Sequence, residues 1–121
     1  MQATRLFDIG DVRTTEVAIP TAAPGEVLIR VEACGICGTD RHLLHGTFPS
    51  KPPLTLGHEF SGIVVGVGAG VTLAEGTRVT CDPNTWCGRC ENCLRGRVNL
   101  CLNNVATGLG RDGGFAEFCA F

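Results

Sequence analysis

The amino-acid sequence predicts a mainly β fold with short helices and a cysteine-rich lobe that a metal ion holds together. Three observations carry this expectation. Seventeen glycines and six prolines in 121 residues favour short strands joined by tight turns over a helical bundle. Two stretches, Glu26–Cys34 and Glu59–Val71, carry strand patterning. Eight cysteines accompany no secretory signal over Met1–Gly10, so metal binding or catalysis in a reducing, cytoplasmic compartment explains them better than a disulfide framework.

Along the chain, EVLIRVEAC (26–34) places Val27, Ile29, Val31 and Ala33 on one face and Leu28, Arg30 and Glu32 on the other, as a half-buried strand does. Thr39 offers an N-cap for about one turn of helix through Leu44, which Gly46 closes. A polar stretch with three prolines, Thr47–Pro53, follows. Glu59–Val71 is β-branched but interrupted by Gly62, Gly66, Gly68 and Gly70, which suits a bent or bulged barrel strand. Gly76–Asp82 and Gly114–Phe121 are two shorter strand signals. Between them, residues 83–104 are polar, rich in Cys and Asn, and without alternation.

The length suits one domain, residues 1–121, with the 83–104 lobe inside it. A formal charge of -2 lacks the dense positive field that nucleic-acid binding uses. No apolar run approaches the roughly 18 residues a membrane span needs. Neither nucleic acid nor a membrane is an expected partner. The last strand signal runs into the C-terminus without a turn or cap, which reads as part of something longer.

Cys87, Cys90, Cys93 and Cys101 form C-x2-C-x2-C-x7-C. Two residues between thiolates let a tight turn aim both sulfurs at one ion, and the longer gap lets the chain return as the fourth tetrahedral ligand. Four protein ligands leave no open position, so this zinc site is structural. Arg89, Arg95 and Arg97 against Glu91 nearly neutralise the -2 that four thiolates leave on Zn2+. An iron–sulfur cluster, as in an electron carrier, would prefer a last gap of three followed by proline; here the gap is seven and Leu102 follows.

A second constellation lies upstream: Cys37-Gly38-Thr39-Asp40-Arg41-His42, then Gly57-His58-Glu59. A thiolate, an imidazole and a carboxylate are three zinc-ligand types, and three ligands with one open position define a catalytic site. No spacing rule alone brings residue 37 to residue 58, and a buried thiol and a structural histidine account for the same residues.

The GICGTD and GHEFSGIVVGVGAGV segments and the four-cysteine lobe, in that order, resemble the zinc-dependent alcohol and polyol dehydrogenases of the medium-chain dehydrogenase/reductase superfamily. The resemblance covers most of the chain. It implies a GroES-like, partly open β-barrel with two zinc ions. Cys37, His58 and Glu59 match ligands of the catalytic zinc, and Cys87, Cys90, Cys93 and Cys101 those of the structural one. Asp40 matches the carboxylate that orients the histidine ligand. Thr39 matches the hydroxyl that accepts the substrate proton, and His42 the imidazole that passes it to solvent. The implied reaction is oxidation of a small alcohol or polyol, with hydride moving to NAD or NADP. Gly38 resembles the threonine, polyol and glucose dehydrogenase branches, since liver-type members carry a basic residue there that meets the cofactor pyrophosphate. Arg41 stands where some relatives have an acidic residue. Cys34, Cys81 and Cys119 match no ligand and read as strand packing.

A dinucleotide site needs a strand, G-x-G-x-x-G, a helix and a distal acidic residue. Gly66, Gly68 and Gly70 mimic its start, but Val71 breaks it and no amphipathic helix follows. The resemblance places a Rossmann cofactor domain after residue 121 and implies a homo-oligomer for the whole protein, with this chain inactive alone. The alternative is a stand-alone zinc-stabilised binding module without chemistry. Within the chain, Thr47–Leu54 is the stretch able to contribute to a substrate pocket.

Overall fold

In the computed structural model, which describes residues 1–121, two antiparallel sheets carry the chain. β1 (Gln2–Asp8) pairs with β2 (Asp11–Glu16) and with β4 (Leu54–Thr55), giving the order β2-β1-β4. β3 (Val27–Gly35), β5 (Glu59–Val67), β6 (Arg78–Thr80) and β7 (Phe118–Ala120) form the second sheet in the order β6-β5-β3-β7. A helix, α1 (Gly38–Leu44), joins the sheets, while the lobe holds only α2 (Glu91–Leu94) and a 3-10 turn at Val98–Leu100.

The predicted alternation holds in the first half of β3, where Val27 and Ile29 are buried and Arg30 is exposed. The register slips between Val31 and Ala33 against β5. Past that slip Ala33 is exposed and Cys34 turns toward the core instead. Glycine interrupts β5 where its neighbours come closest: a Cβ on Gly62 would fall on the Arg30 carbonyl oxygen. The short signals at 76–82 and 114–121 become three-residue strands.

The β1–β2 hairpin and β4 have no counterpart in the sequence patterning described above. In β1 the two buried residues are Ala3 and Leu6. Their spacing of three breaks period-two alternation, and the ladder is irregular between Leu6 and Asp8. The hairpin tip docks on the end of α1, where Gly10 N–H donates to Leu44 O at 2.8 Å.

Two apolar clusters result. Val27, Ile29, Phe60, Val64 and Cys119 form one, with Cys34, Cys81 and Phe121 packed around it. Leu6, Leu43, Leu54 and Leu56 form the other, joined by Val12, Leu109 and Phe115. Leu56 belongs to one and Phe60 to the other, so His58 sits at their seam. Cys34, Cys81 and Cys119 lie where strand-packing thiols were expected, and burial pushes their pKa values up to about 11, 11 and 12, which keeps them as neutral thiols at neutral pH.

Thr107 is fully buried and its hydroxyl has no hydrogen-bond partner. An orphaned buried hydroxyl costs free energy that an isosteric methyl does not. Thr107→Val is therefore expected to raise the unfolding free energy by about 1 kcal/mol, read from the urea midpoint; an unchanged or lower midpoint counts against this.

Candidate metal centres

Cys37 stands at the turn from β3 into α1 as the residue that caps the helix. Its N–H donates to Asp40 Oδ2 at 2.8 Å, so the first turn is closed by a side chain inside the helix that reaches back to the residue before it. This differs from the expected cap at Thr39. A carboxylate three residues past Cys37 does the capping and leaves Thr39 within the first turn. The Thr39 hydroxyl lies 3.6 Å from Cys37 Sγ. Gly46, with φ at +68°, ends the helix by donating its N–H to Leu43 O at 3.1 Å.

Glu59 opens β5, whose first pair places it opposite Gly35, and His58 immediately precedes the strand. A Cβ on Gly35 would lie 3.0 Å from Glu59 Oε2, so the glycine leaves room for the carboxylate. The fold thereby brings together what spacing could not: ligand atoms of Cys37, His58 and Glu59 all lie within 4.8 Å of one another. His58 is buried and Glu59 is exposed, so the group opens to solvent on one side.

Asp40 Oδ1 faces His58 Nδ1 at 3.6 Å, an electrostatic contact longer than a hydrogen bond. Both residues are buried, and neither of these two atoms has a hydrogen-bond partner. A carboxylate at Nδ1 favours the tautomer protonated there, which frees the Nε2 lone pair for a cation. The donor set and this orphaned pair fit a metal ion with an open position. His42 is exposed, and its Nδ1 hydrogen-bonds to Thr47 Oγ1 at 2.9 Å. Thr39 and His42 are three residues apart on α1 and so share a helix face.

In the lobe, Cys87, Cys90, Cys93 and Cys101 form a second group with sulfurs within 4.8 Å of one another. Cys90 Sγ is 3.5 Å from Cys93 Sγ and 4.0 Å from Cys101 Sγ. Two sulfurs each about 2.3 Å from one tetrahedral ion would stand about 3.8 Å apart, so the spacing fits zinc. Cys87 is held as a thiolate, its pKa lowered to about 6, first by the Asn103 side-chain amide and then by the N–H groups of Arg89 and Cys90. Backbone N–H groups of Cys93 and Leu102 lower Cys90 as well. Desolvation first, then the neighbouring thiols, push Cys93 up to about 12. Such a cluster favours some thiolates and resists others, and a cation is what allows all four to ionise.

Two neighbours of the candidate site residues carry no motif of their own in the sequence. Asn103, whose Nδ2 donates to Cys87 Sγ at 3.4 Å, was signalled only by its place two residues after Cys101. Thr47, the partner of His42, opens the proline-containing stretch Thr47–Pro53. That stretch, Phe48–Lys51, lines one side of a groove of about 500 Å³ that faces Asn84, Asn104 and Leu109.

Comparison with known proteins adds an independent line. The family model for the alcohol dehydrogenase GroES-like domain matches residues 23–121. An alcohol dehydrogenase of Geobacillus stearothermophilus is 47% identical over 111 residues, covering 86% of this chain and 32% of its own length. An L-threonine 3-dehydrogenase of Stenotrophomonas maltophilia is 46% identical over 108 residues, covering 85% of this chain and 32% of its own. Among solved structures, a zinc-binding dehydrogenase of Sinorhizobium meliloti bound to NADP superposes with a TM-score of 0.95 at 58% identity, over 98% of this chain and 35% of that one. The chain thus spans about a third of the length of the relatives it matches.

Proposed function

The chain belongs to the alcohol dehydrogenase GroES-like domain family, and from this premise we propose that it forms the zinc-binding catalytic part of an NAD(P)-linked dehydrogenase that oxidises an alcohol or polyol. The observation that carries the proposal is the convergence of Cys37, His58 and Glu59 donor atoms within 4.8 Å of one another, beside the Thr39 hydroxyl and apart from the four-cysteine group.

In this reading Cys37, His58 and Glu59 hold a catalytic zinc, and Cys87, Cys90, Cys93 and Cys101 a structural one. When bound, the catalytic zinc supplies Lewis acidity that lowers the pKa of an alcohol, and NAD or NADP supplies the hydride acceptor. The chain's own residues do the rest. Asp40 orients His58 through Nδ1 and ties the Cys37 backbone to the same carboxylate. Thr39 accepts the substrate proton at its hydroxyl oxygen, 3.6 Å from Cys37 Sγ, and releases its own hydroxyl proton in the same transfer. His42, on the same helix face and exposed, carries the proton to solvent. Its ring is held by Thr47, whose hydroxyl also reaches His42 O at 3.3 Å. The dinucleotide-binding Rossmann domain and the subunit contacts of a homo-oligomer belong to the remaining two-thirds of the whole protein.

Metal content tests this directly. Chain purified without added metal or chelator is expected to carry two zinc ions, and His58→Ala one. A single zinc that His58→Ala leaves untouched would overturn the catalytic assignment in favour of a zinc-stabilised module without chemistry.

A further inference from the structure

Residues 104–115 return from the four-cysteine lobe and pass directly behind His58. The lobe is closed at its root. Thr85 Oγ1 donates to Val105 O at 3.0 Å, and Val105 N–H donates back to Thr85 Oγ1 at 3.3 Å. Thr85 N–H donates to Asn104 Oδ1 at 3.1 Å, and Thr107 N–H to Pro83 O at 2.9 Å. One residue beyond Thr107 the chain meets Gly57, with no side chain between the two backbones. A Cβ on Gly108 or on Gly113 would fall on the Gly57 carbonyl oxygen, and the one on Gly113 would also lie 2.5 Å from Gly108 Cα. Gly57 and Gly108 adopt φ of +89° and +74°, a region that side chains rarely enter.

Backbone hydrogen bonds complete the stack. Gly113 N–H donates to Thr55 O at 2.9 Å, Phe115 N–H to Leu56 O at 2.9 Å and Gly114 N–H to Gly57 O at 2.8 Å. Each of the three residues before His58 is therefore gripped by the 113–115 segment through its carbonyl. The sequence offers this only as scattered glycines.

We infer that Gly108 and Gly113 are positioning residues for His58, and that their junction with Gly57 ties the histidine's place to the root of the four-cysteine lobe. The inference rests on the reading of Cys37, His58 and Glu59 as a metal site. Its physical basis is the absence of slack. Backbone packed on backbone has no rotamer to yield, so an added Cβ must displace Gly57 and the imidazole that follows it. Metal ligands tolerate errors of only about 0.2 Å. A site whose ligand is displaced by more loses affinity even though every ligand is still present. None of the stacked glycines belongs to the four-cysteine group, so the effect is selective.

The test is Co2+ titration of the metal-free 121-residue chain, followed by absorbance. A four-thiolate site and a site with one thiolate, one imidazole and one carboxylate give different spectra. Gly108→Ala is expected to weaken Co2+ at Cys37, His58 and Glu59 by about tenfold or more, the size of effect seen for groups that orient ligands, with the four-thiolate affinity unchanged. Unchanged affinity at the His58 site, or equal weakening of both sites, overturns the inference. Where Gly108→Ala does not fold, Thr85→Val removes two hydrogen bonds at the root without touching either ligand set. It is expected to weaken the His58 site severalfold, and an unaffected site overturns the inference as well. An unsubstituted chain that takes up Co2+ only at the four thiolates refutes the metal-site reading itself, and the inference falls with it.

Discussion

Replacing Cys90 with serine is expected to cost the chain one metal ion and to unfold the lobe while the sheets persist. The lobe has little else to hold it. No residue of 83–104 belongs to either apolar cluster, and Leu94, Leu100 and Leu102 point outward, 74%, 55% and 71% exposed. Apart from bonds to the cysteine sulfurs and those of Asn84, Thr85 and Asn104 at its root, its contacts include one turn of helix, one 3-10 turn, the Arg95–Glu91 pair at 3.3 Å and the Asn92 bond to Leu100 O at 2.7 Å. An exposed pair of that kind contributes at most about 1 kcal/mol. Structural zinc in small domains contributes about 10–16 kcal/mol of binding free energy that appears as folding free energy. Losing one of four ligands removes a large share of it. Hydrogen exchange should show amides 87–103 open in Cys90→Ser, with β3 and β5 still protected, and elemental analysis should show one zinc in place of two. Protected lobe amides in the zinc-depleted variant would show that packing holds the lobe instead.

The second large effect concerns chemistry. In the whole protein, with the proposed dehydrogenase activity, Thr39→Val is expected to lower kcat by about 10²–10⁴, the usual contribution of a positioned proton-transfer group. The metal content of the 121-residue chain should not change, because Thr39 supplies no ligand in the proposed set. Valine keeps the shape and removes the hydroxyl, while Thr39→Ser keeps the hydroxyl and should retain most of the activity. Thr39→Val with kcat within a few-fold of the parent would remove Thr39 from the proton path.

What the sequence made legible follows the range of the interactions. β3, α1 and the four-cysteine lobe lie where local patterns placed them, whereas β5 stops at Val67, four residues short of the expected Val71, because the chain turns at Ala69–Gly70, with Gly70 at a φ of +84°. The β1–β2 hairpin is equally local yet carries no alternating signal, because the two buried residues of β1, Ala3 and Leu6, stand three apart and the ladder is irregular beyond Leu6. In α1 the cap moved from Thr39 to Cys37, because Asp40 reaches the free N–H of the earlier residue. The meeting of Cys37 with His58 depends on β3 and β5 pairing so that Gly35 stands opposite Glu59. Family resemblance supplied that relation; residue chemistry alone could not. The glycine junction behind His58 was out of reach for a related reason. It is made by backbone atoms of residues some fifty positions apart, and backbone atoms carry no sequence pattern.

The order of strands in the two sheets bears on solubility. The three long strands, β1, β3 and β5, at seven, nine and nine residues, each have a neighbour on both sides. The edges fall to β4, β6 and β7, at two or three residues, and to β2, whose sequence DVRTTE carries three charges. An unpaired edge is a template for another chain in proportion to its length, flatness and lack of charge. Here the outermost strands are short or charged and offer little to recruit a stray strand, and the apolar β-branched runs of β3 and β5 pair with each other along most of their length.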